Sequence, residues 1–479
     1  MRLPLLQPMM DVSGMKPDVR TTSIMNAHVI DSRYLNDLFG TAELRQIFSD
    51  TQQLQRWLDF EAALARAEAA EGLIPPEAAT EITAKARAEL IDLAALHEGV
   101  NFTGHPLISL VRQLTDLCDG EAGRYVHWGA TTQDVTDTGL MLQAQAAHAL
   151  ILGDLKSLAG ALADLARRER DTLLAGRTHG QHATPITFGF KVAVWLDEVQ
   201  RHIERMAQLA PRVFVGEFAG ASTTLASLGA DPTRALAVQR RLMADLGLAV
   251  PAIGWHAARD RFAELGGVLA MSAATMGKIA HEVILLQKSE VMELEEPHHH
   301  GKVGSSTMPH KRNPMICEGI MAQARLARSL QMALLESMGT AEHERDWSAV
   351  HTEWSALPEI CLLTGAAVAQ TSGVIRDLIL YRDRMRANVD ALHGLILSEA
   401  VMLRLGEFVG RQVAHDIVYD AAMAAFEQRR PLADLLLEDL RVTAHLSADE
   451  IDALLQPEAY TGLAGVFVDR VAGAAAREA

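Results

Sequence analysis

The chain has 479 residues, more than one compact core accommodates, and a formal net charge of −17 from 44 basic and 61 acidic residues; the length points to several domains, and the charge excludes an electrostatic footprint for nucleic acid. Forty-nine per cent of residues are apolar and only 5% aromatic, with alanine and leucine dominant and β-branched runs short, a balance that favours helix over sheet. No apolar run reaches about 18 uninterrupted residues, MRLPLLQPMM lacks the apolar stretch of a signal peptide, and Cys118, Cys317 and Cys361 are too scattered for a disulfide framework, so neither membrane nor disulfide is expected and the cytoplasm is the expected compartment.

Residues 1 to about 40 lack helical periodicity and read as an arm. A helix begins near Asp50, where Asp50 and Gln53 form a candidate capping pair, and Leu54, Trp57, Leu58, Glu61 and Leu64 follow at helical spacing. Gly72, Pro75 and Pro76 end it. His127-Trp128-Gly129-Ala130-Thr131-Thr132-Gln133-Asp134 gathers hydroxyls, an amide and an imidazole ahead of a second helix. Its plain reading is a capping loop, since Thr and Asp are ordinary N-caps.

Gly176 to Pro185 holds His179 and His182 three residues apart. Gly180 and Pro185 argue for a loop rather than a helix face, and with no acidic third ligand in reach no metal site is assigned. Val192, Leu196, Val199, Ile203 and Met206 then recur at 4-3-4-3 spacing, as do Leu265, Leu269, Ser272, Met276, Ile279, Val283 and Leu286. This is the seam of long, nearly parallel helices in a bundle. Helices so long pack beyond one subunit's core, so copies of the chain are expected to associate.

His298, His299 and His300 are consecutive and cannot easily converge on one ion. The segment Gly301 to Pro314 combines glycines, Ser305, Ser306, Lys311, Arg312 and Asn313. Asn313-Pro314 reads as an N-cap with proline at the first helical position. Lys311, Arg312 and the helix N-terminus would then gather the local positive potential that an anionic substrate of an acidic protein needs. Glu318 follows on that helix, where a plain first-turn acid would also sit. After residue 378 the apolar runs shorten, punctuated by Pro431 and Pro457. The expected architecture is all-α in three helical domains: 1–131, a central bundle over 132–378, and a small domain over 379–479.

HWGATTQDVTDT, GRTHGQHATP and GSSTMPHKRNP together resemble the three signature regions of the fumarase/aspartase superfamily, with likeness over roughly residues 45–475. The chain looks closest to the branch of adenylosuccinate lyase and 3-carboxy-cis,cis-muconate cycloisomerase. TGHPLISLVRQL, WHAARDR and HTEWSALPE are similar to the cycloisomerases, and GRTHGQHATP to adenylosuccinate lyase. His179 stands where bacterial cycloisomerases carry Trp, a departure that favours elimination. HERDWSAVHTEW replaces the serine-rich phosphate-binding segment of adenylosuccinate lyase, which argues against an AMP-bearing substrate.

The resemblance implies a homotetramer on a core of long helices, each active site drawing on three subunits, with no cofactor and no metal. It implies Ser305 as general base, His179 as general acid oriented by Glu318, and Lys311 and Asn313 stabilising an enediolate. His105, His127, Thr131, Thr132, Thr178 and Ser306 would contact a small dicarboxylate. Arg259 would reach a substrate carboxylate or form a structural ion pair. The reaction implied is anti β-elimination from a substituted succinate, expelling an amine or nitrite and leaving fumarate. Lactonisation of 3-carboxy-cis,cis-muconate, adenylosuccinate cleavage and a non-catalytic, recruited scaffold are the alternatives.

Overall fold

The computed structural model describes residues 27–299, 301, 307–308, 310–339 and 341–478. Most of the expected arm, His300, Ser305 and Ser306 lie outside the described residues. The part of the arm that is described is not featureless: 3-10 turns form at Val29–Asp31 and Asn36–Leu38, and Ile30 is buried in the main core.

The N-terminal helices are α1 (Ala42–Ile47), α2 (Asp50–Ala70), α3 (Pro76–Lys85), α4 (Leu93–Thr103) and α5 (Pro106–Leu117). The expected Asp50–Gln53 cap is displaced by one residue: the N-cap of α2 is Ser49, whose hydroxyl accepts from the Gln52 N–H at 3.4 Å. Helix α2 buries Leu54, Trp57, Leu58, Phe60 and Leu64 on one side, and Glu61 and Glu68 with them.

The centre of the molecule is α6 (Thr132–Arg168), α7 (Phe188–Val213), α9 (Asp260–Gln287), α10 (Met315–Gly339) and α11 (Trp347–Arg376), with α8 (Pro232–Leu246) to one side against α2. The 37 residues of α6 extend about 55 Å at 1.5 Å per residue. From Gln133 to Ala144 every residue of α6 is buried, so its polar groups need internal partners. Thr138 exchanges hydrogen bonds with the backbone of Glu217, at 2.9 and 2.8 Å, and the Gln133 amide donates to the His256 carbonyl at 3.0 Å. Helices α9 and α10 approach closely because Gly266 and Gly277 face them: a Cβ would come within 2.4 Å of Leu334 and 2.8 Å of Ala324. Helix α9 is also the one helix among the described residues that is long and apolar enough to cross a membrane. Its 18-residue window has a mean hydropathy of 1.3, and 56% of it is buried against its neighbours, the condition of a core helix.

Among the described residues the regular structure is helical apart from two short antiparallel ribbons and an isolated bridge between Val215 and Ala249. Strands β1 (Leu173–Thr178) and β2 (Gln181–Thr187) form a hairpin between α6 and α7, while β3 (Leu294–Glu295) pairs with β4 (Ile379–Leu380). The segment expected as a loop is thus a hairpin. His179 and Gly180 are its two-residue turn, both at positive φ (51° and 74°), the backbone that matches strand twist in a tight hairpin.

Beyond β4, α12 (Arg382–Asp390), α13 (Ser398–Val409), α14 (Arg411–Gln428), α15 (Leu432–Glu438), α16 (Leu440–Thr443) and α17 (Ala448–Leu454) follow, and Val401 to Ile451 enclose a second core. The last helix, α18 (Ala464–Glu478), returns to the bundle. Val468 and Ala472 join the main core, and Arg167 and Gln200 donate to the carbonyls of Ala472 and Val471 at 2.5 and 3.2 Å.

Glu68 is fully buried, and neither carboxyl oxygen has a hydrogen-bond partner among the described residues. Burial first, and then the charge of Glu61, pushes its pKa up to about 9 from 4.5. Between those values the folded chain holds a proton that the unfolded chain has released, so stability falls as pH rises, by at most ~1.4 kcal/mol per pH unit from this group. Glu68→Gln should therefore melt above the wild type at pH ~8, with the gap narrowing towards pH ~5. A gap that does not change with pH would refute the buried-proton account.

Candidate active site

The N-terminal end of α6 gathers the first group of candidates. Thr131 is its N-cap, and the Asp134 carboxylate accepts from the Thr131 N–H at 2.9 Å. The Thr132 hydroxyl meets His105 Nε2 at 3.1 Å. His105 precedes α5 and packs edge-on against Trp347, with ring centroids 5.9 Å apart. His127 lies on backbone of φ 61°, and its Nδ1 is 2.6 Å from Glu61 Oε1. The two imidazoles are driven apart electrically. Burial, with the charges of His127 and Arg345, holds His105 below the usual histidine range. Burial also opposes charge on His127, but the Glu61 carboxylate outweighs it and holds His127 above that range. Arg345 completes the group, donating to the Gln133 side chain and the Ala221 carbonyl, each at 3.0 Å.

Beneath this surface lies a buried polar layer. Arg259 is 1% exposed and donates to Asp137 at 2.5 and 3.0 Å and to Glu353 at 3.0 and 3.1 Å. It ties the start of α9 to α6 and α11. The structural ion pair is therefore what forms, and the expectation that Arg259 reaches a substrate carboxylate is corrected: its donors already face two buried carboxyl groups. Burial pushes Glu353 up to about 7, partly offset by Arg259.

Asp134, Glu217 and His256 bring ligand atoms within 4.8 Å of one another, a spacing that could suit a metal. Asp134, however, already accepts from the N–H groups of Thr131, Ala219 and Gly220 at 2.9, 2.9 and 3.0 Å and shares a 2.9 Å hydrogen bond with His256. Burial, then Asp134, pushes Glu217 up to about 9. N–H donors thus occupy Asp134, whereas Glu217 Oε1 and His256 Nδ1 have no hydrogen-bond partner among the described residues.

The other candidates sit at the opposite end of the bundle. His179 is exposed at the hairpin tip, next to Thr178, which pairs with Gln181. The hairpin is anchored through Arg177, which binds the buried Glu293 at 2.7 and 3.0 Å, and Glu293 also accepts from Asn388 at 2.8 Å. Lys311, Arg312, Asn313 and Glu318 line a cleft of about 650 Å³ together with Gln287, Lys288 and Glu295. Arg312 pairs with Glu295 at 2.9 Å. Helix α10 starts at Met315, not at Pro314, and the first N–H groups expected to face a ligand are taken: Glu296 accepts from Ile316 at 3.0 Å and from Cys317 at 3.0 Å. The positive end of α10 is thus neutralised from within, and of the basic side chains lining the cleft Arg312 is paired while Lys288 and Lys311 have no ion-pair partner among the described residues. His179 and Glu318 make no hydrogen bond or ion pair with each other among the described residues, so the expected pair does not form within one chain.

The bundle itself keeps these groups apart. Thr132 opens α6 and the hairpin follows its far end, where the Gly189 N–H bonds the Glu169 carbonyl at 2.9 Å. Helix α9 runs the same way, from Arg259 to Gln287, whose amide donates to the Arg312 carbonyl at 3.1 Å. His105, His127, Thr131, Thr132 and Arg345 stand at one end; His179, Lys311, Asn313 and Glu318 stand at the other. Sequence reasoning missed three participants. Glu61 was visible as an acid in an apolar stripe, and Arg345 lay inside a segment already singled out. Glu296 gave no signal.

Two family models match the chain: one described as Lyase over residues 40–327, and one described as Adenylosuccinate lyase C-terminus over residues 394–471. A 3-carboxy-cis,cis-muconate cycloisomerase of Pseudomonas aeruginosa is 47% identical over 435 residues, covering 90% of this chain and 94% of that protein. An N-acetyl-S-(2-succino)cysteine lyase of Dickeya dadantii is 42% identical over 448 residues, covering 93% and 97%. The crystal structure of a 3-carboxy-cis,cis-muconate lactonizing enzyme from Pseudomonas putida superimposes with a TM-score of 0.87 at 40% identity, covering 93% and 99%.

Removing the buried guanidinium leaves two carboxyl groups facing each other without a cation. Arg259→Met should cost about 3–5 kcal/mol, read from the urea unfolding midpoint. A variant that unfolded like the wild type but bound substrate poorly would restore the substrate-contact reading.

Proposed function

This chain belongs to the fumarase/aspartase superfamily of lyases, and from that premise we propose that it forms fumarate by anti β-elimination from a substituted succinate. The observation that carries the reading is the cluster at the start of α6. A charge-stabilised His127, a neutral His105, Thr131, Thr132 and Arg345 make a local cationic pole in a protein of net charge −17. Such a pole suits one carboxylate of a small dicarboxylate.

In the proposed reaction Ser305 takes the proton from the carbon beside a carboxylate. Its alkoxide and the resulting enediolate are stabilised by Lys311 and Asn313. The electron pair then expels the group on the neighbouring carbon, that bond breaks, and His179 protonates the departing atom. Glu318 orients His179, and Thr178 and Ser306 line the substrate. Because α6 separates His127 from His179 within the chain, each complete site would join ends from different subunits of a homotetramer. The reaction needs no metal or redox cofactor, and a cytoplasmic location fits three scattered cysteines that form no disulfide with one another.

The expected leaving groups are an amine or nitrite. The 42% identity to a protein named for a succinylated cysteine adds a thiolate, a group that departs readily without an acid. Lactonisation of 3-carboxy-cis,cis-muconate is the second reading, favoured by the 47% identity to a cycloisomerase and opposed by His179.

A panel of amino-, nitro- and thioether-substituted succinates, followed by fumarate absorbance, tests the first reading, and loss of the muconate diene tests the second. If no member of the panel releases fumarate, elimination is the wrong reaction. Ser305→Ala should lower turnover at least about 100-fold without moving the melting temperature; an undiminished rate would remove Ser305 as base. His179→Asn should hurt most with amine leaving groups and least with thiolates or nitrite. A uniform loss would count against an acid role.

A further inference from the structure

Glu61 sits on the apolar side of α2 among Leu58, Phe60, Ala62 and Leu64, and is 2% exposed. One oxygen meets His127 Nδ1 at 2.6 Å; the other, Oε2, has no hydrogen-bond partner among the described residues. A carboxylate so stripped of water stays ionised only against a cation. The charged groups facing His127 are Glu61 from α2 and Asp134 from α6, both acidic, with His105 ahead of α5 and Arg345 beyond it. No other cation touches Glu61 among the described residues, so the His127 ring is its counter-ion. The carboxylate accepts, so Nδ1 carries a proton. The ring is 20% exposed, and Nε2 has no hydrogen bond among the described residues.

We propose that Glu61 is a positioning residue: its buried carboxylate fixes the tautomer and charge of His127, so that the imidazolium offers Nε2–H to one carboxylate of the substrate. The proposal rests on the dicarboxylate reading given above and adds the anchoring device. Glu68 shows why the pairing matters. It lies two turns along the same buried stripe, has no counter-ion among the described residues, and is pushed up to about 9, chiefly by burial. Of two buried acids on one helix, only the one facing the site is matched by a cation. His105, held neutral across Thr132, supplies a hydrogen-bonding group that does not compete for that charge. Two neighbouring imidazoles thereby take different roles, one as fixed cation and one as neutral partner.

The test compares wild type with Glu61→Gln, which keeps the shape and an acceptor for Nδ1 but removes the charge, and with Glu61→Asp. Isotope-labelled histidine NMR would follow the His127 titration, and calorimetry would measure fumarate binding from about pH 6 to about pH 9. In the wild type His127 should stay protonated through neutral pH and affinity should change little. In Glu61→Gln the titration should move down, fumarate affinity at pH ~8 should fall about tenfold or more, and affinity should recover as pH falls. With substrate, kcat/KM should drop more than kcat, and Glu61→Asp should lie between the two. A neutral His127 in the wild type at pH ~7 overturns the proposal whether or not the variants fold, and so does a Glu61→Gln protein that binds fumarate like the wild type at every pH. Turnover separates the two readings. Normal elimination with unchanged binding in Glu61→Gln defeats the anchoring role alone, while loss of fumarate binding in a protein that eliminates from no succinate defeats the reaction alone.

Discussion

A straight helix cannot bring its own ends together, and the candidate residues are distributed around that fact. Helix α6 is 37 residues long, about 55 Å. The polar segment carrying His127 and Thr132 enters it, and the hairpin carrying His179 follows it. Helices α9, α10 and α11 run alongside, and tight packing at Gly266 and Gly277 together with the Arg259 ion pairs keeps them in line. Bending is not available to such a core, because close-packed interiors do not deform continuously. On the proposed reading, chemistry that needs both polar ends would have to come from association of copies, each chain contributing two half-sites.

The same rigidity decides where positive charge can be used. In an acidic protein an anion must be met by local groups. At the α10 end the obvious source, the helix N-terminus, is already covered by Glu296, so the cleft depends on side chains such as Lys311. At the α6 end the charge is made from an imidazole by burying a carboxylate behind it. The first arrangement leaves a compact ammonium in a wide cleft. The second gives a fixed ring at the mouth of a packed layer, with Asp134, His256 and Glu217 locked beneath it. A rigid pole at one end and a less encumbered one at the other would suit the proposed reaction, in which the substrate is held by one carboxylate while the carbon beside the second is deprotonated.

How much of this was legible in the sequence depended on the range of the interaction. The 3.6-residue periodicity of α2, α7 and α9 was readable because burial of one stripe is local information. The Ser49 cap was misplaced by one residue, within the usual uncertainty of helix ends. The hairpin was missed because His-Gly is an unfamiliar pair for a turn whose two residues both need positive φ. The partners of Arg259 were illegible: Asp137 and Glu353 lie 122 and 94 residues away, and spacing carries no trace of such a pair. Glu61 was placed on the buried stripe of α2, yet its partner lies 66 residues on. An acid in an apolar stripe is a legible anomaly, but only the fold says what resolves it.

Backbone strain gives an independent argument about the two histidines that flank α6. His127 and His179 hold φ at 61° and 51°, a region that costs a non-glycine residue roughly 1–2 kcal/mol. Positive φ alone does not mark a site, since His343 and His393 share it at 52° and 50°. At His179 the next residue, Gly180, already provides one of the two strained turn positions, and a glycine at 179 would relieve the other. At His127 a glycine would do the same, but it would leave Glu61 buried without a counter-ion. In both places the side chain is kept where the backbone would prefer to lose it. For His127 the interior supplies a reason, the 2.6 Å contact to Glu61. For His179, with no hydrogen bond or ion pair among the described residues, packing among those residues offers none, and the proposed role as general acid at a site shared between copies would supply one.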